Sequence, residues 1–365
     1  MVQIGEITGF LDNLAPPSLQ EEYDNAGLLT GNREDPVRGV LIALDSTEEV
    51  IDEAVALDCN LIIAHHPIIF RGLKKITGSN YVERSVIKAI RNNIAIYAVH
   101  TNLDNVKNGV NKKIAEKLGL TGIQVLKKKE KVLRKLVSFV PVNHVLNVLD
   151  AIHKVGAGVI GNYDHCSFRV QGTGRYRPNE EANPHIGSKN EMEEVKEERI
   201  ELIYPHYLEG QVLLALKDAH PYEEVAYYIH DLQNFDDTVG SGMIGVLEKE
   251  ISASEFLARI KEQFNLEHFK YAPVEGKKIQ KVAVCGGAGS FLINVALKAE
   301  ADAFVSADIK YHEYFDAEGK MLIADIGHYE SEVFTKDLIF ELLNEKFRNI
   351  APQLSKVNTN PIRYI

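Results

Sequence analysis

The sequence predicts an α/β fold made of two related α/β lobes with a ferredoxin-like domain, of order βαββαβ, inserted between them. Short apolar runs alternate with helical patterns at both ends of the chain, which is typical of mostly parallel sheets with right-handed crossovers. The two ends also resemble each other, and the middle differs from both. The predicted domains are 1–129, 130–236 and 237–365.

The first lobe is predicted to begin with a helix over 4–14 and to continue as alternating strands and helices. The apolar run 40–45 predicts a buried strand, and the Ser-Thr-Glu-Glu stretch 46–49 predicts a capping box that opens the next helix. Further helices are expected over 84–92 and 109–118. This alternation predicts that the strands of the lobe lie parallel in one sheet.

The same pattern returns towards the C-terminal end. A strand is predicted over 281–285, a glycine turn over 286–289, a helix over 291–298 and a strand over 303–306. The amides of the glycine turn could cradle a phosphate. The turn matches neither the dinucleotide-binding nor the P-loop pattern, however, so a plain turn between strand and helix is an equal alternative.

The resemblance between the two ends indicates an internal repeat. One shift along the chain lays His66 on Asp308, and a slightly shorter shift lays His100 on His328. The two lobes are therefore expected to face each other across a cleft that both line with polar side chains.

Histidines and carboxylates follow three of the predicted buried strands. The stretches are His65-His66-Pro67, 100–104 (His-Thr-Asn-Leu-Asp) and 327–332 (Gly-His-Tyr-Glu-Ser-Glu). Carboxyl ends of parallel strands form the edge where open α/β sheets bind ligands. Imidazole and carboxylate groups suit zinc, manganese, iron, cobalt or nickel. The alternative is a set of buried polar side chains with satisfied hydrogen bonds.

The spacing favours two metal ions over one. Adjacent ligands such as His65 and His66 do not converge easily on one small ion, but they suit two ions with a carboxylate between them. His328 and Glu332 are four residues apart, so they share a face if a helix begins there, whereas Glu330 points elsewhere. Two-metal sites stabilise the attacking and leaving oxygens, which suits hydrolysis.

Composition excludes several classes of function. A net charge of −11 argues against nucleic-acid binding. The cysteines Cys59, Cys166 and Cys285 show no CxxC spacing, which indicates a reducing compartment and no thiolate zinc site. The N-terminal residues do not resemble a signal peptide, and no apolar run has a membrane-spanning length. We therefore expect a cytoplasmic protein without membrane contact.

The chain resembles the Nif-three-like proteins, a family often labelled GTP cyclohydrolase I type 2 homologues. The resemblance covers about 1–125 and 240–365. It rests on five stretches taken in order, Tyr23-Asp24-Asn25-Ala26-Gly27-Leu28, His65-His66-Pro67, His100-Thr101-Asn102-Leu103-Asp104, Val284-Cys285-Gly286-Gly287-Ala288-Gly289-Ser290 and Gly327-His328-Tyr329-Glu330-Ser331-Glu332.

The resemblance implies a dinuclear metal centre and a toroidal homohexamer. Its ligands carry over onto His65, His66, Asp104, His328 and Glu332. Two divalent ions per subunit are implied, with zinc expected first and manganese, iron, cobalt or nickel as alternatives. His100 and Asp308 are not usual ligands in the family. His100 could act as an acid/base group, support a ligand through a hydrogen bond or have only a structural role.

The middle segment resembles the PII/CutA-type module of longer bacterial family members. Its predicted elements are strands at 133–140, around 166–170 and 199–203 and at 225–229, with helices at 145–153 and 211–219. The loop 178–197 is expected to be mobile. His220 and Glu224 could bind a metal, lie at a subunit contact or serve only as surface structure.

The function expected from these observations is a metal-dependent hydrolase that acts on a nucleotide or another phosphorylated small molecule, with His100 moving protons. The competing hypothesis is a metal-handling or ligand-sensing hexamer in which the inserted module responds to a ligand. No residue pattern points independently to guanine recognition.

Overall fold

The computed structural model describes residues 1–363. The chain forms two compact units. The first contains Met1–Lys128 and the segment from Thr238 onward, and the second is Lys129–Asp237. Within the described residues, no helix combines the length and apolar character needed to cross a membrane.

The helices alternate with strands along most of the chain. In chain order they are α1 (Ile4–Leu14), α2 (Glu48–Ala56), α3 (Tyr81–Arg91), α4 (Thr101–Asp104), α5 (Val110–Lys117), α6 (Val145–Lys154), α7 (Glu209–Ala219), α8 (Ala253–Gln263), α9 (Ile293–Lys298), α10 (His328–Glu332) and α11 (Thr335–Lys346). Short 3₁₀ turns lead into α6, α7 and α9.

Within residues 1–363, the strands form three sheets. They are β1 (Gly27–Thr30), β2 (Val40–Ala43), β3 (Leu61–Ala64), β4 (Ala95–Ala98), β5 (Thr121–Lys128), β6 (Leu133–Pro141), β7 (Phe168–Tyr176), β8 (Glu193–Pro205), β9 (Tyr227–Asp231), β10 (Gly240–Ser252), β11 (Lys270–Ala272), β12 (Lys278–Ala288), β13 (Ala303–Ala307), β14 (Leu322–Asp325) and β15 (Gln353–Leu354).

The first unit contains two sheets built on the same local plan. One has the order β1-β4-β3-β2-β15 and the other the order β11-β14-β13-β12-β10-β5. In each, three consecutive strands run parallel, and an antiparallel strand lies beside the third. Every residue of β2, β3 and β4 is buried, as near-continuous apolar runs require in a sheet covered on both faces. The structure is thus a mixed α/β fold with several sheets.

The capping box predicted at 46–49 is wrong. Helix α2 begins at Glu48, and its N-cap is Thr47, which makes no side-chain hydrogen bond to the helix. Because the helix begins one residue later than the box requires, Glu49 occupies the second helical position and not the third.

Helix α3 begins three residues before the predicted start at Arg84, because Asn80 caps it. The Asn80 side chain accepts a hydrogen bond from the Glu83 N–H. The Glu83 carboxylate in turn accepts hydrogen bonds from Thr77, Ser79 and Asn80, including two backbone N–H groups. Glu83 therefore anchors the end of the loop between β3 and α3.

Replacing Glu83 with glutamine is expected to destabilise the protein in a pH-dependent way. Hydrogen bonds from Thr77 and Ser79 lower the pKa of Glu83 to about 2. A carboxylate with a lowered pKa adds stability above its unfolded pKa and loses it as pH falls towards the folded value. The difference in Tm between parent and Glu83→Gln should be full at about pH 6 and shrink between about pH 4.5 and pH 2. The exposed Glu22→Gln should show no such trend, and a constant difference for Glu83→Gln would contradict the prediction.

The second unit holds an antiparallel sheet of order β7-β8-β6-β9. Its elements follow one another as β6, α6, β7, β8, α7 and β9. Residues of both helices pack with Leu136, Ile200 and Leu202 in one apolar core. The loop predicted over 178–197 is shorter than expected, since β8 begins at Glu193 and pairs with β7 from Tyr176.

Candidate metal centre

The predicted site residues meet at the carboxyl ends of parallel strands from both sheets of the first unit. His65 and His66 follow β3 directly, and α4, which ends at Asp104, follows β4. Helix α10 follows β14 and carries His328 and Glu332 at its two ends. The three stretches singled out by the sequence are therefore brought together, as the crossover rule for parallel strands predicts.

Glu332 lies at the middle of the cluster, with its two oxygens facing different partners. Its Oε2 is 2.9 Å from His66 Nε2 and 3.0 Å from His328 Nε2. Its Oε1 is 3.8 Å from His65 Nε2, which is itself 3.7 Å from Asp104 Oδ1. One carboxylate is thus shared by two groups of nitrogen and oxygen atoms.

Two atoms of the cluster are buried without any hydrogen-bond partner within residues 1–363. They are His65 Nε2 and Asp104 Oδ1. Leaving a buried polar atom unpaired is costly, and buried polar groups are normally paired. The two atoms face each other across a gap that is too long for a hydrogen bond. A cation held between them would satisfy both.

All four histidines of the cluster are oriented through Nδ1. Their oxygen partners are Val99 O for His65 (2.8 Å), Asp45 for His66 (2.7 Å), Asp24 for His100 (2.7 Å) and Asp308 for His328 (2.7 Å). Because these oxygens only accept, Nδ1 carries the hydrogen in each ring and Nε2 is left to bind or to exchange a proton. Metal-binding histidines in proteins are held in this way.

Burial and hydrogen bonding together shift the pKa values of the histidines in the cluster. Burial alone would lower the pKa of His66, but hydrogen bonds to Asp45 and Glu332 outweigh it and raise the pKa to about 9. For His328, hydrogen bonds to Asp308 and Glu332 likewise outweigh burial and raise the pKa to about 11. Burial lowers the pKa of His65, which favours the neutral ring that binds metals.

The pKa values of the two inner carboxylates, Asp104 and Glu332, are shifted in opposite directions. Burial, together with the negative charge of Glu332, raises the pKa of Asp104 well above its usual value. Burial would also raise the pKa of Glu332, but hydrogen bonds from His328 and His66 hold it well below its usual value. Two carboxylates brought together in a buried place are unfavourable unless a positive charge compensates them.

Three overlapping groups of these side chains could therefore hold a metal ion. They are His65 with His66 and His100, His66 with His328 and Glu332, and His65 with Asp104 and Glu332. The donor set is entirely nitrogen and oxygen, which fits a borderline divalent ion. The role of each residue as a ligand stays a prediction, but all of the candidates lie in one cluster.

The glycine turn predicted over 286–289 is wrong, because β12 continues through Gly286 and Gly287. The amides proposed for a phosphate are also already paired, since Gly286 N–H donates to Asn111 and Gly287 N–H donates to Ser331. Glycine is required at position 287 because there is no space for a side chain. A Cβ added to Gly287 would lie 2.3 Å from Glu332 Oε1.

Sequence reasoning missed the carboxylates that hold the histidines. The sequence offers no local signal that links Asp24 to the site, but its side chain pairs with His100 and with Thr101. Asp45 is predicted only as the last residue of a strand, and Asp308 only as a cleft residue that matches His66 in the repeat. The position of Asp45 at the carboxyl end of a buried strand is the feature that could have indicated it.

The fold and the cluster define an α/β protein with a candidate metal centre where two sheets meet. The family model described as Duf34/NIF3 (NGG1p interacting factor 3) matches residues 2–361. The chain therefore belongs to the Duf34/NIF3 family, which confirms the resemblance found in the sequence.

Similar proteins cover the chain almost completely. A Halalkalibacterium halodurans protein named GTP cyclohydrolase 1 type 2 homolog is 40% identical over 356 residues, 96% of each chain. The Bacillus subtilis protein of the same name is 35% identical over 99% of this chain and 98% of its own. The crystal structure of a Bacillus cereus protein related to NIF3 is 40% identical and superposes with a TM-score of 0.86, covering 100% of this chain and 99% of that one.

Proposed function

We propose that the protein is a metal-dependent hydrolase with a dinuclear centre, acting on a nucleotide or another phosphorylated small molecule. The observation that carries the proposal is the shared carboxylate of Glu332, whose two oxygens serve two groups of potential ligands. This is the arrangement expected of a carboxylate between two ions. The names of the similar proteins agree with hydrolytic chemistry, but they do not define a substrate.

The proposed ligands are His65, His66, Asp104, His328 and Glu332. Zinc is the first candidate and manganese, iron, cobalt and nickel are the alternatives, because an all-nitrogen-and-oxygen set discriminates weakly among them. When bound, a pair of divalent ions supplies Lewis acidity and lowers the pKa of a nearby water.

His100 is proposed to move protons beside the centre. Its Nδ1 donates to Asp24, whose pKa is lowered to about 2: burial would raise that pKa, but hydrogen bonds from His100 and Thr101 outweigh it. Asp24 therefore remains an anion that fixes the ring and its tautomer. The ring of His100 lies 5.3 Å from that of His65 and 5.4 Å from that of His66, close enough to serve the same reacting group.

The test is metal-dependent hydrolysis of nucleotides and of a general phosphodiester by the metal-loaded protein. His100→Ala should lower kcat by about 10²-fold or more while metal content is retained, because only proton transfer is removed. The exposed His268→Ala serves as the matched control and should keep the parent rate. Absence of any metal-stimulated turnover in the parent would refute the hydrolase.

We also infer that the second unit is a ferredoxin-like module of the PII/CutA type and that the protein assembles as a toroidal homohexamer. The order of elements β6, α6, β7, β8, α7, β9 and the strand order β7-β8-β6-β9 support the first inference. The hexamer rests on the family resemblance. Sedimentation should give a mass near six copies of the 40.8 kDa chain.

A ligand-sensing role is the second candidate, and a cavity in the second unit favours it. The cavity has a volume of about 970 Å³, and its lining includes Tyr176, Arg177, His185, Arg199 and Tyr222. Pockets of this size, with aromatic walls and a few polar groups, suit small molecules. A sensor, unlike a simple hydrolase, should change its assembly or ligand affinity with metal occupancy or on removal of 130–236.

A further inference from the structure

Two exposed aromatic rings lie beside the candidate metal centre. The side chains are Tyr23, which is 63% exposed, and Phe70, which is 42% exposed. Their ring centroids are 6.1 Å apart, and the Phe70 ring lies 6.2 Å from the ring of His100. The pair therefore borders the cluster on the side of His100.

The segments that carry the pair are tied together by a turn that also holds His100. Asn25 Nδ2 donates to the carbonyl of Ile69 at 2.6 Å, which ties the turn that carries Tyr23 to the loop that carries Phe70. The neighbouring Asp24 pairs with His100. These hydrogen bonds tie the segments that carry Tyr23 and Phe70 to each other and to His100.

Core packing does not account for these rings. An aromatic side chain is stabilised by burial, and a fixed pair left open to solvent beside a polar cluster retains apolar surface that a ligand could cover. Phe70 packs edge-on against His100, at an interplanar angle of 75°, and is tilted by 48° to Tyr23.

The loop that carries Phe70 is also positively charged. Arg71, Lys74 and Lys75 are all exposed, in a chain whose net charge is −11. Across the described part of the chain, the ion pairs do not include any of these three cations. The loop therefore presents three exposed positive charges within five residues of Phe70 in the sequence.

We propose that Tyr23 and Phe70 bind the planar heteroaromatic ring of an anionic, phosphorylated substrate, and that Arg71, Lys74 and Lys75 attract its phosphate. The inference rests on the proposed function and specifies its substrate class. Stacking on an aromatic ring discriminates a base-like ring from an aliphatic phosphate, which the cations alone would not do. Phe70 is the main specificity residue, because its ring contacts both Tyr23 and His100.

The test compares AMP with ribose 5-phosphate as probes, by calorimetry on the metal-loaded full chain. The parent should bind AMP about tenfold more tightly than ribose 5-phosphate, since stacking acts on AMP alone. Phe70→Ala should remove that preference while leaving the affinity for ribose 5-phosphate unchanged, which also shows that the loop is intact. Phe70→Tyr should keep the preference.

Phe291→Ala is the matched control, because Phe291 is an exposed ring elsewhere in the same unit. It should bind both probes as the parent does. Equal affinity of the parent for the two probes, no binding of AMP, or an equal loss for both probes in Phe70→Ala would each overturn the proposal. If the protein prefers AMP but hydrolyses nothing, the hydrolase proposal would be wrong and the aromatic binding site would still be supported.

Discussion

Glu332→Ala is expected to remove nearly all bound metal, whereas His65→Ala or His328→Ala should remove about one of two ions. The reason is that the two oxygens of Glu332 face different partners. Oε1 faces His65 and Asp104, and Oε2 faces His66 and His328. Losing one histidine weakens one half of the centre. Losing the shared carboxylate weakens both halves and leaves the neighbouring imidazoles without their negative partner.

The measurement is metal per subunit by plasma mass spectrometry, on protein purified without chelators and again after reconstitution. Glu330→Ala is the matched control, since Glu330 lies on the same helix but pairs with Asn360 at 2.8 Å. It should retain the parent content. Equal metal loss in Glu332→Ala and His65→Ala, or no metal in the parent after reconstitution, would contradict a shared carboxylate.

The candidate ligands could be predicted because strand exits are visible in a sequence. His65, His100 and His328 each follow a buried apolar run, and parallel strands bring such exits to one edge. The repeat between the ends had the same basis, since His66 and Asp308 occupy matching strand exits. Local periodicity was therefore enough to indicate both the α/β class and the cluster.

The sequence could not indicate which side chains pair when the residues are far apart in the chain. Asp24 and His100 are 2.7 Å apart in space but far apart in the chain, and no local pattern links them. The capping box at 46–49 failed because α2 begins at Glu48, which makes Glu49 the second helical residue and not the third. The glycines at 286 and 287 are predicted from the sequence to form a turn, but in the structure they leave room for the Glu332 side chain of another element.

Gly287→Ala is expected to disrupt the centre without touching any ligand. Gly287 has a φ of +58°, and a Cβ there would lie 2.3 Å from Glu332 Oε1 and 3.3 Å from a carbon of the His328 ring. The Glu332 carboxylate would have to move, so metal affinity should fall at least about tenfold, as it does when a supporting group of a metal ligand is lost. Competition with a coloured chelator measures the change.

Gly122→Ala separates this effect from backbone strain. Gly122 has nearly the same φ, +59°, but a Cβ there would meet nothing within 4 Å. Gly122→Ala should lose about 1 kcal/mol of unfolding free energy, the cost of a left-handed conformation for a residue with a Cβ, and Gly287→Ala should lose at least as much. Only Gly287→Ala should release metal. Parent-like metal affinity in Gly287→Ala, or an equal loss in Gly122→Ala, would show that the position of Glu332 does not control the centre.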